Sequence, residues 1–286
     1  MCGICGEIRY GGATPNASAV QMMCDEMTSR GPDAAGLFQQ QNIAFGHRRL
    51  SIIDLSEHAA QPMVDSHLGL TIVFNGAIYN YPELRKELEN NGHRFFSNGD
   101  TEVILKAYAE WGPECVARLS GMFAFAVWER DSHRVFIARD RLGIKPLYYT
   151  EGPGFFRFAS SLPALVRAGD VDTDIDPVAL HNYMSFHSVV VPPHTILKGV
   201  RKLPPATTLT LEPDGKKHFH RYWTLSFDTD TSRSEAEWKE ELLVVLRQAV
   251  KRRLVADVPV GVLLSGGLDS SLVVGLLAEA GQQGLA

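Results

Sequence analysis

The strand-like runs in the first 160 residues come in clusters and do not alternate with helices. Residues 3–10, 35–39, 43–46 and 70–74 are apolar enough for strands, and residues 122–128, 134–138 and 155–159 are dense in Phe, Val and Ala. Three helices punctuate them. Residues 17–29 carry Val20, Met23, Cys24 and Met27 at helical spacing. Tyr81-Pro82 opens a second helix, with Leu84 and Leu88 on one face and Gly92 beyond its end. A third runs from a cap at Asp100 or Thr101 to Gly112. Strands grouped in this way favour antiparallel sheets packed by helices over a parallel sheet. The expected class is α+β.

The remaining third reads differently. Residues 160–223 look like strand-and-turn material, with a hairpin at Pro213-Asp214-Gly215, and a polar stretch over 226–235 reads as a linker. Ser234 is placed to cap an amphipathic helix over 236–256, which carries Trp238, Leu242, Val245, Leu246, Ala249 and Val250. Residues 258–264 are a buried-strand candidate, followed by a glycine-rich turn and a helix over 270–280. At about 150 residues per domain, 286 residues suggest two.

With 28 basic and 33 acidic residues the net charge is −5, which argues against a nucleic-acid surface and supplies no field toward a membrane. No apolar run nears the roughly 20 residues of a spanning helix, and the first residues do not read as a signal peptide. Cys2, Cys5, Cys24 and Cys115 are too few for a disulfide framework, so a cytoplasmic protein with free thiols is expected. Cys2 and Cys5 have metal-like spacing without a second pair. His218 and His220 lack neighbouring ligands, so no metal site is expected.

Cys2 directly follows the initiator Met. Removal of Met1 would leave a thiol and a free α-amine on one residue, a nucleophile with its own base; an ordinary terminal Cys is the competing reading. Arg49, in G-H-R-R-L-S-I-I-D, offers a fork for a carboxylate or simply a basic face. Asn75-Gly76, after T-I-V-F, carries a hairpin signal, and equally an amide and a backbone N–H suited to an oxyanion. Asp100 would cap a helix or bind an ammonium. Between Ser265 and Ser271, S-G-G-L-D-S-S separates the strand candidate from the last helix. That context suits a phosphate cradle, although the loop lacks the Gly-Lys-Ser/Thr ending of the common nucleoside-triphosphate loop.

Taken together, M-C-G-I-C-G, S-R-G-P-D, H-R-R-L-S-I-I-D, F-N-G-A-I-Y-N-Y, G-D-T-E-V-I-L-K-A-Y, L-S-G-M-F-A-F-A-V-W, A-R-D-R-L-G-I-K-P-L-Y-Y and V-P-V-G-V-L-L-S-G-G-L-D-S-S resemble the glutamine-dependent asparagine synthetases. The resemblance implies a four-layer αββα N-terminal-nucleophile glutaminase over residues 2–217, a linker over 218–235, and over 236–286 the start of an α/β synthetase domain of the ATP-pyrophosphatase type. Position by position, it implies Cys2 as nucleophile, Asn75 and Gly76 as oxyanion hole, and Arg49 and Asp100 on the glutamine α-carboxylate and α-amine. Ser265, Gly266, Gly267, Asp269 and Ser270 would hold the ATP pyrophosphate, with Leu264 near the adenosine. The partners implied are glutamine, ATP with Mg²⁺, and an acceptor carboxylate such as aspartate; a homodimer is compatible with all of this.

Two departures stand out. The family commonly reads N-G-E, and that Glu helps bind the amine; here the position is Ala77. An apolar residue there, with F-H-S-V-V-V-P-P-H-T-I-L-K-G-V-R-K-L-P-P, resembles the branch that amidates N-acetylglutaminylglutamine. A catalytically silent module is the third reading. The second departure is that the chain reaches only one helix past the loop. It is therefore expected to support glutamine hydrolysis without ATP-dependent amidation, and to leave the 242–250 helix face short of packing partners.

Overall fold

The computed structural model describes residues 1–281. The chain divides into two compact units. One comprises Met1–Ser51 and Ser56–Thr224; the other takes in Ile52–Leu55 and the chain from Leu225.

In order, the first unit contains β1 (Gly3–Arg9), α1 (Ala17–Glu26), β2 (Ala34–Gln40), β3 (Ile43–Arg49), β4 (Met63–Asp65), β5 (Leu70–Ile78), α2 (Tyr81–Asn90), α3 (Asp100–Trp111), α4 (Cys115–Arg118), β6 (Gly121–Glu129), β7 (Val135–Arg139), β8 (Tyr148–Gly152), β9 (Phe155–Ala159), α5 (Leu162–Arg167), α6 (Pro177–Ser185), β10 (Arg201–Lys202), β11 (Thr207–Leu211) and β12 (Lys217–Arg221). The strands form two six-stranded sheets, ordered β10-β8-β9-β1-β3-β2 and β12-β11-β7-β6-β5-β4. Every strand pairing is antiparallel.

Side-chain alternation along these strands builds three cores. Ile4 and Ile8 of β1, Phe45 of β3, Val73 of β5 and Trp128 of β6 fill the space between the sheets. The other face of the first sheet, with Cys5 and Ala159, packs on Val20 and Met23 of α1 and Leu165 of α5. The other face of the second sheet, with Ile72, Phe74 and Ile78, packs on Leu84, Leu88, Val103 and Ile104 of α2 and α3. The result is an αββα sandwich, as the strand clustering and the resemblance lead one to expect. The edge-to-face pair Phe45–Phe158, with centroids 5.7 Å apart, closes the inter-sheet layer. Truncating either ring to Ala would remove about 3–5 kcal/mol.

Four local expectations are corrected. First, Asn75-Gly76 is no hairpin: β5 runs through it to Ile78, paired with β6 as far as Gly121. The glycine is needed for closeness, because a Cβ there would lie 2.2 Å from the Met122 carbonyl oxygen. Second, Asp100 is the first residue of α3 rather than its cap. Gly99 holds the cap position, and the Asp100 carboxylate reaches instead to the Ile78 N–H. Third, β8, α5 and α6 lie in stretches with no such element expected. Asp176 caps α6 by accepting from the N–H groups of Val178 and Ala179, with Pro177 in the first turn. Fourth, the boundary expected at 217 falls inside the β11–β12 hairpin. Residues 218–221 are ladder-paired strand, and the first unit continues to Thr224.

In the second unit α7 (Glu235–Arg253) starts with a capping box, Ser234 against Glu237, and ends on Lys251, Arg252 and Arg253, which suit its negative pole. None of its residues is buried. The stretch 258–264 is not a strand: Leu263 is 95% exposed and Leu264 60%. Pro259 and Gly261 weaken any ladder there, and the unit offers no other strand among its described residues. α8 (Leu268–Glu279) follows, joined to α7 by the ion pair Arg247–Glu279 at 2.7 Å. Among the described residues no helix is long and apolar enough to cross a membrane.

Candidate active site

The same alternation that builds the inter-sheet core carries polar residues out at its end. Extended one step back from β1, it puts Cys2 on the face of Ile4 and Ile8. Along β3 it puts His47 and Arg49 on the face of Phe45, and along β5 it puts Asn75 and Ala77 on the face of Val73. Cys2, Arg49 and Asn75 therefore all turn into the space between the sheets.

Cys2 is half-buried, and its Sγ accepts the Leu50 N–H at 3.4 Å. Because Leu50 follows Arg49, the nucleophile candidate is tied to the strand end that bears the guanidinium. Arg49 is 8% exposed, and its Nη1 donates to the Ser56 carbonyl at 2.9 Å. Burial pushes the Cys2 thiol above its ordinary range. The Leu50 hydrogen bond, the terminal ammonium and Lys145 pull it back, while Asp100 pushes it up. A thiol so placed is protonated at neutral pH and needs a base before it can attack.

Asn75 is 1% exposed, and among the described residues neither Oδ1 nor Nδ2 has a hydrogen-bond partner. A buried amide left empty in this way carries a desolvation penalty of about 1–3 kcal/mol, which a bound ligand would relieve. The main chain beside it is also open. The N–H groups of Phe74 and Ile78 turn away from β6, one to the Gln61 side chain and the other to Asp100. Gly76 lies midway between them, so its N–H turns to that same free edge. An amide and an N–H so disposed are able to donate to one developing oxyanion.

Asp100 is 5% exposed, with Oδ2 accepting from Ile78 at 3.0 Å. Burial raises its carboxyl to about 7, against hydrogen bonds from the backbone that lower it. Among the described residues no cation offsets that burial, which is the electrostatic state of a counter-ion waiting for a charged ligand.

The S-G-G-L-D-S-S loop forms the entrance to α8. Gly266 has φ +81°, with nothing within 4 Å of where a Cβ would sit, and Gly267 is the helix cap. The hydroxyls of Ser270 and Ser271 bond back to the Gly267 carbonyl at 3.0 and 2.9 Å, and Ser265 Oγ meets Ser270 Oγ at 3.0 Å. This leaves first-turn N–H groups facing an open loop, a donor set that fits phosphate oxygens. Leu264 is largely exposed before it, and Asp269 sits in the first turn.

Residues 1–223 match the glutamine amidotransferase domain family. The chain belongs to that family. Residues 241–286 match the asparagine synthase family as well. Among curated proteins the chain is 37% identical to "Asparagine synthetase [glutamine-hydrolyzing] 3" of Bacillus subtilis, over 97% of this chain and 45% of the relative. It is 39% identical to "Asparagine synthetase [glutamine-hydrolyzing] 1" of the same organism, over 98% and 44%. It is 35% identical to "Amidase chry2" of Gibberella zeae, over 99% and 44%. The chain thus spans a little under half the length of these relatives. Among solved structures, the glutamine phosphoribosylpyrophosphate amidotransferase of B. subtilis aligns with a TM-score of 0.57 at 16% identity. That alignment covers 98% of this chain and 64% of that one, a likeness of fold.

Two residues of the candidate site escape a reading of motifs alone. Arg30, within S-R-G-P-D, donates from Nε to the Cys2 carbonyl at 3.2 Å, while its buried Nη2 has no hydrogen-bond partner among the described residues. Lys145 is 3% exposed with Nζ 3.1 Å from the Met1 sulfur, and its field reaches Cys2. The motif around Lys145 explains its placement. Asp140 accepts from the N–H groups of Phe123, Ile144 and Lys145, and Arg139 donates to the Lys145 carbonyl at 2.7 Å. Both signals were in the sequence as motif letters without a chemical role. Cys5, Cys24 and Cys115 are buried free thiols, and His218 and His220 are exposed strand residues.

Proposed function

We propose that the first unit hydrolyses glutamine at Cys2. The observation that carries this reading is the empty Asn75 amide, buried and without a hydrogen-bond partner among the described residues, on the inter-sheet face of β5, opposite the sheet whose β1 carries Cys2. Arg49 would hold the α-carboxylate and Asp100 the α-ammonium, which directs the side-chain amide toward Asn75 and Gly76. With Met1 removed, the Cys2 α-amine takes the thiol proton as sulfur attacks the amide carbon. The oxyanion draws on Asn75 Nδ2 and the Gly76 N–H. The same proton then leaves with nitrogen as ammonia, and water hydrolyses the thioester to glutamate.

The ammonia so released would serve an ATP-dependent amidation of a carboxylate, with aspartate the first candidate acceptor. Leu264, Ser265, Gly266, Gly267, Asp269 and Ser270 would belong to the loop that holds the pyrophosphate of ATP, brought in with Mg²⁺. ATP, when bound, would activate the acceptor carboxylate. The N–H groups and hydroxyls of the loop support that reading by their fit to phosphate.

The test is release of glutamate and ammonia from glutamine without ATP. It uses protein shown by mass spectrometry to begin at Cys2, with Cys2→Ala as control. Turnover lost in the variant is expected. No turnover from correctly processed, folded wild type would overturn the proposal.

A further inference from the structure

One rung of β5 is built from side chains where a strand would ordinarily supply main chain. β4 pairs with β5 only from Met63↔Ile72 to Asp65↔Leu70. Continued two residues further, that register would set residue 61 against Phe74, and continued four, residue 59 against Gly76. The chain instead leaves the ladder. Gln61 Oε1 accepts the Phe74 N–H at 2.6 Å, while Gln61 Nε2 donates to Thr101 Oγ1 at 3.1 Å. The Phe74 carbonyl is taken by His47 Nε2 at 3.2 Å. Two side chains thus hold both polar groups of Phe74 and leave the edge at Gly76 open.

We infer that His47 is a positioning residue for the proposed oxyanion site: it fixes the Phe74–Asn75 peptide of one sheet to the strand of the other sheet that carries Arg49. The inference rests on the glutaminase reading and deepens it. A carbonyl only accepts, so Nε2 carries the proton and Nδ1 does not. His47 is 1% exposed, and burial, with Arg49 nearby, takes its imidazole down to about 3. It therefore stays neutral and adds no charge to the site. Arg49 lies two residues further along β3 on the same face, and Asn75 directly follows the clamped carbonyl. The span between carboxylate fork and oxyanion donors, which must match the length of one glutamine side chain, is set through this hydrogen bond.

The experiment uses the processed full chain with His47→Leu and His47→Gln. The readouts are kcat, KM for glutamine, inhibition by glutamate, and inhibition by glutamate γ-semialdehyde. That aldehyde forms a tetrahedral thiohemiacetal with the Cys2 thiol, whose oxygen needs the oxyanion donors. For H47L, kcat and aldehyde affinity are expected to fall together, about 10–100-fold, with KM and glutamate inhibition within about threefold. H47Q, whose amide N–H can replace Nε2–H, should recover most of the loss. Should H47L not fold, H47N decides, since its amide is too short to reach the carbonyl and must show the same selective loss. Equal loss of aldehyde and glutamate binding, or no loss at all, overturns the inference and leaves the glutaminase intact. A wild type with neither turnover nor adduct removes the glutaminase reading and this inference with it.

Discussion

The Asp100 carboxylate accepts the Ile78 N–H at 3.0 Å from inside the fold, with no cation among the described residues offsetting its burial. It therefore locks the end of β5 and waits, half-protonated near neutrality, for a positive ligand. If the α-ammonium of glutamine is that ligand, only the ionised form binds it well. kcat/KM should rise about tenfold per pH unit below about 7 and level off above. Asp100→Asn should remove that limb and raise KM at least tenfold, as read from pH–rate profiles of both proteins.

The same carboxyl sets a stability trade. Its folded-state pKa, about 7, lies above the ordinary 3.8, so the native state binds more protons between those values and stability falls as pH rises through the window. The penalty is absent below about pH 4 and complete above about pH 7, on the order of 4 kcal/mol in full. Asp100→Asn should melt higher than wild type at pH 8 and close to it at pH 4. Thermal denaturation at the two pH values checks this.

Asn75→Ala removes an amide whose two polar atoms are buried without partners. Its stability should stay level or rise by about 1 kcal/mol, because no hydrogen bond is broken. kcat should nevertheless fall about 10²–10³-fold with KM little changed. A matched fall in melting temperature and activity would contradict the role.

Gly76→Ala forces a Cβ to within 2.2 Å of the Met122 carbonyl, so β5 and β6 must part. A loss of several kcal/mol, about 3 or more, is expected, visible as a lowered denaturant midpoint at unchanged slope.

Ala77 shares the strand face of Asn75 and is 9% exposed. Ala77→Glu would bring a second carboxylate toward the proposed ammonium position. KM for glutamine should drop several-fold at pH 8, with kcat nearly constant. An unchanged KM would show that position 77 does not meet the substrate.

The sandwich was legible because its strands bury alternate residues on two sides, leaving dense apolar runs such as 122–128. Cys2, Arg49, Asn75 and Asp100 are legible as motif letters; the strand pleat turns the first three into the space between the sheets, and Asp100 reaches the end of β5 from the start of α3. What was hidden arose from long-range geometry. Asn75-Gly76 looks like a turn because local preference cannot see β6 lying alongside. α6 was missed because it leaves much of its surface exposed, including Val178, Leu180 and Tyr183, which blurs the helical period. The 258–264 run was overread, since apolar character alone does not make a strand where no neighbour supplies the ladder. Arg30, His47 and Lys145 act through contacts that no spacing rule encodes.

The Gly76 edge has one more consequence. A donor lent by the peptide link is present with any amino acid but proline at the position, so it leaves almost no letter of its own for selection to keep or erase. What heredity can record is the absence of a side chain, and the Gln61 and His47 side chains that take the place of a neighbouring strand beside it. A descendant that had lost this chemistry would show the change at Cys2 or Asn75 long before the glycine.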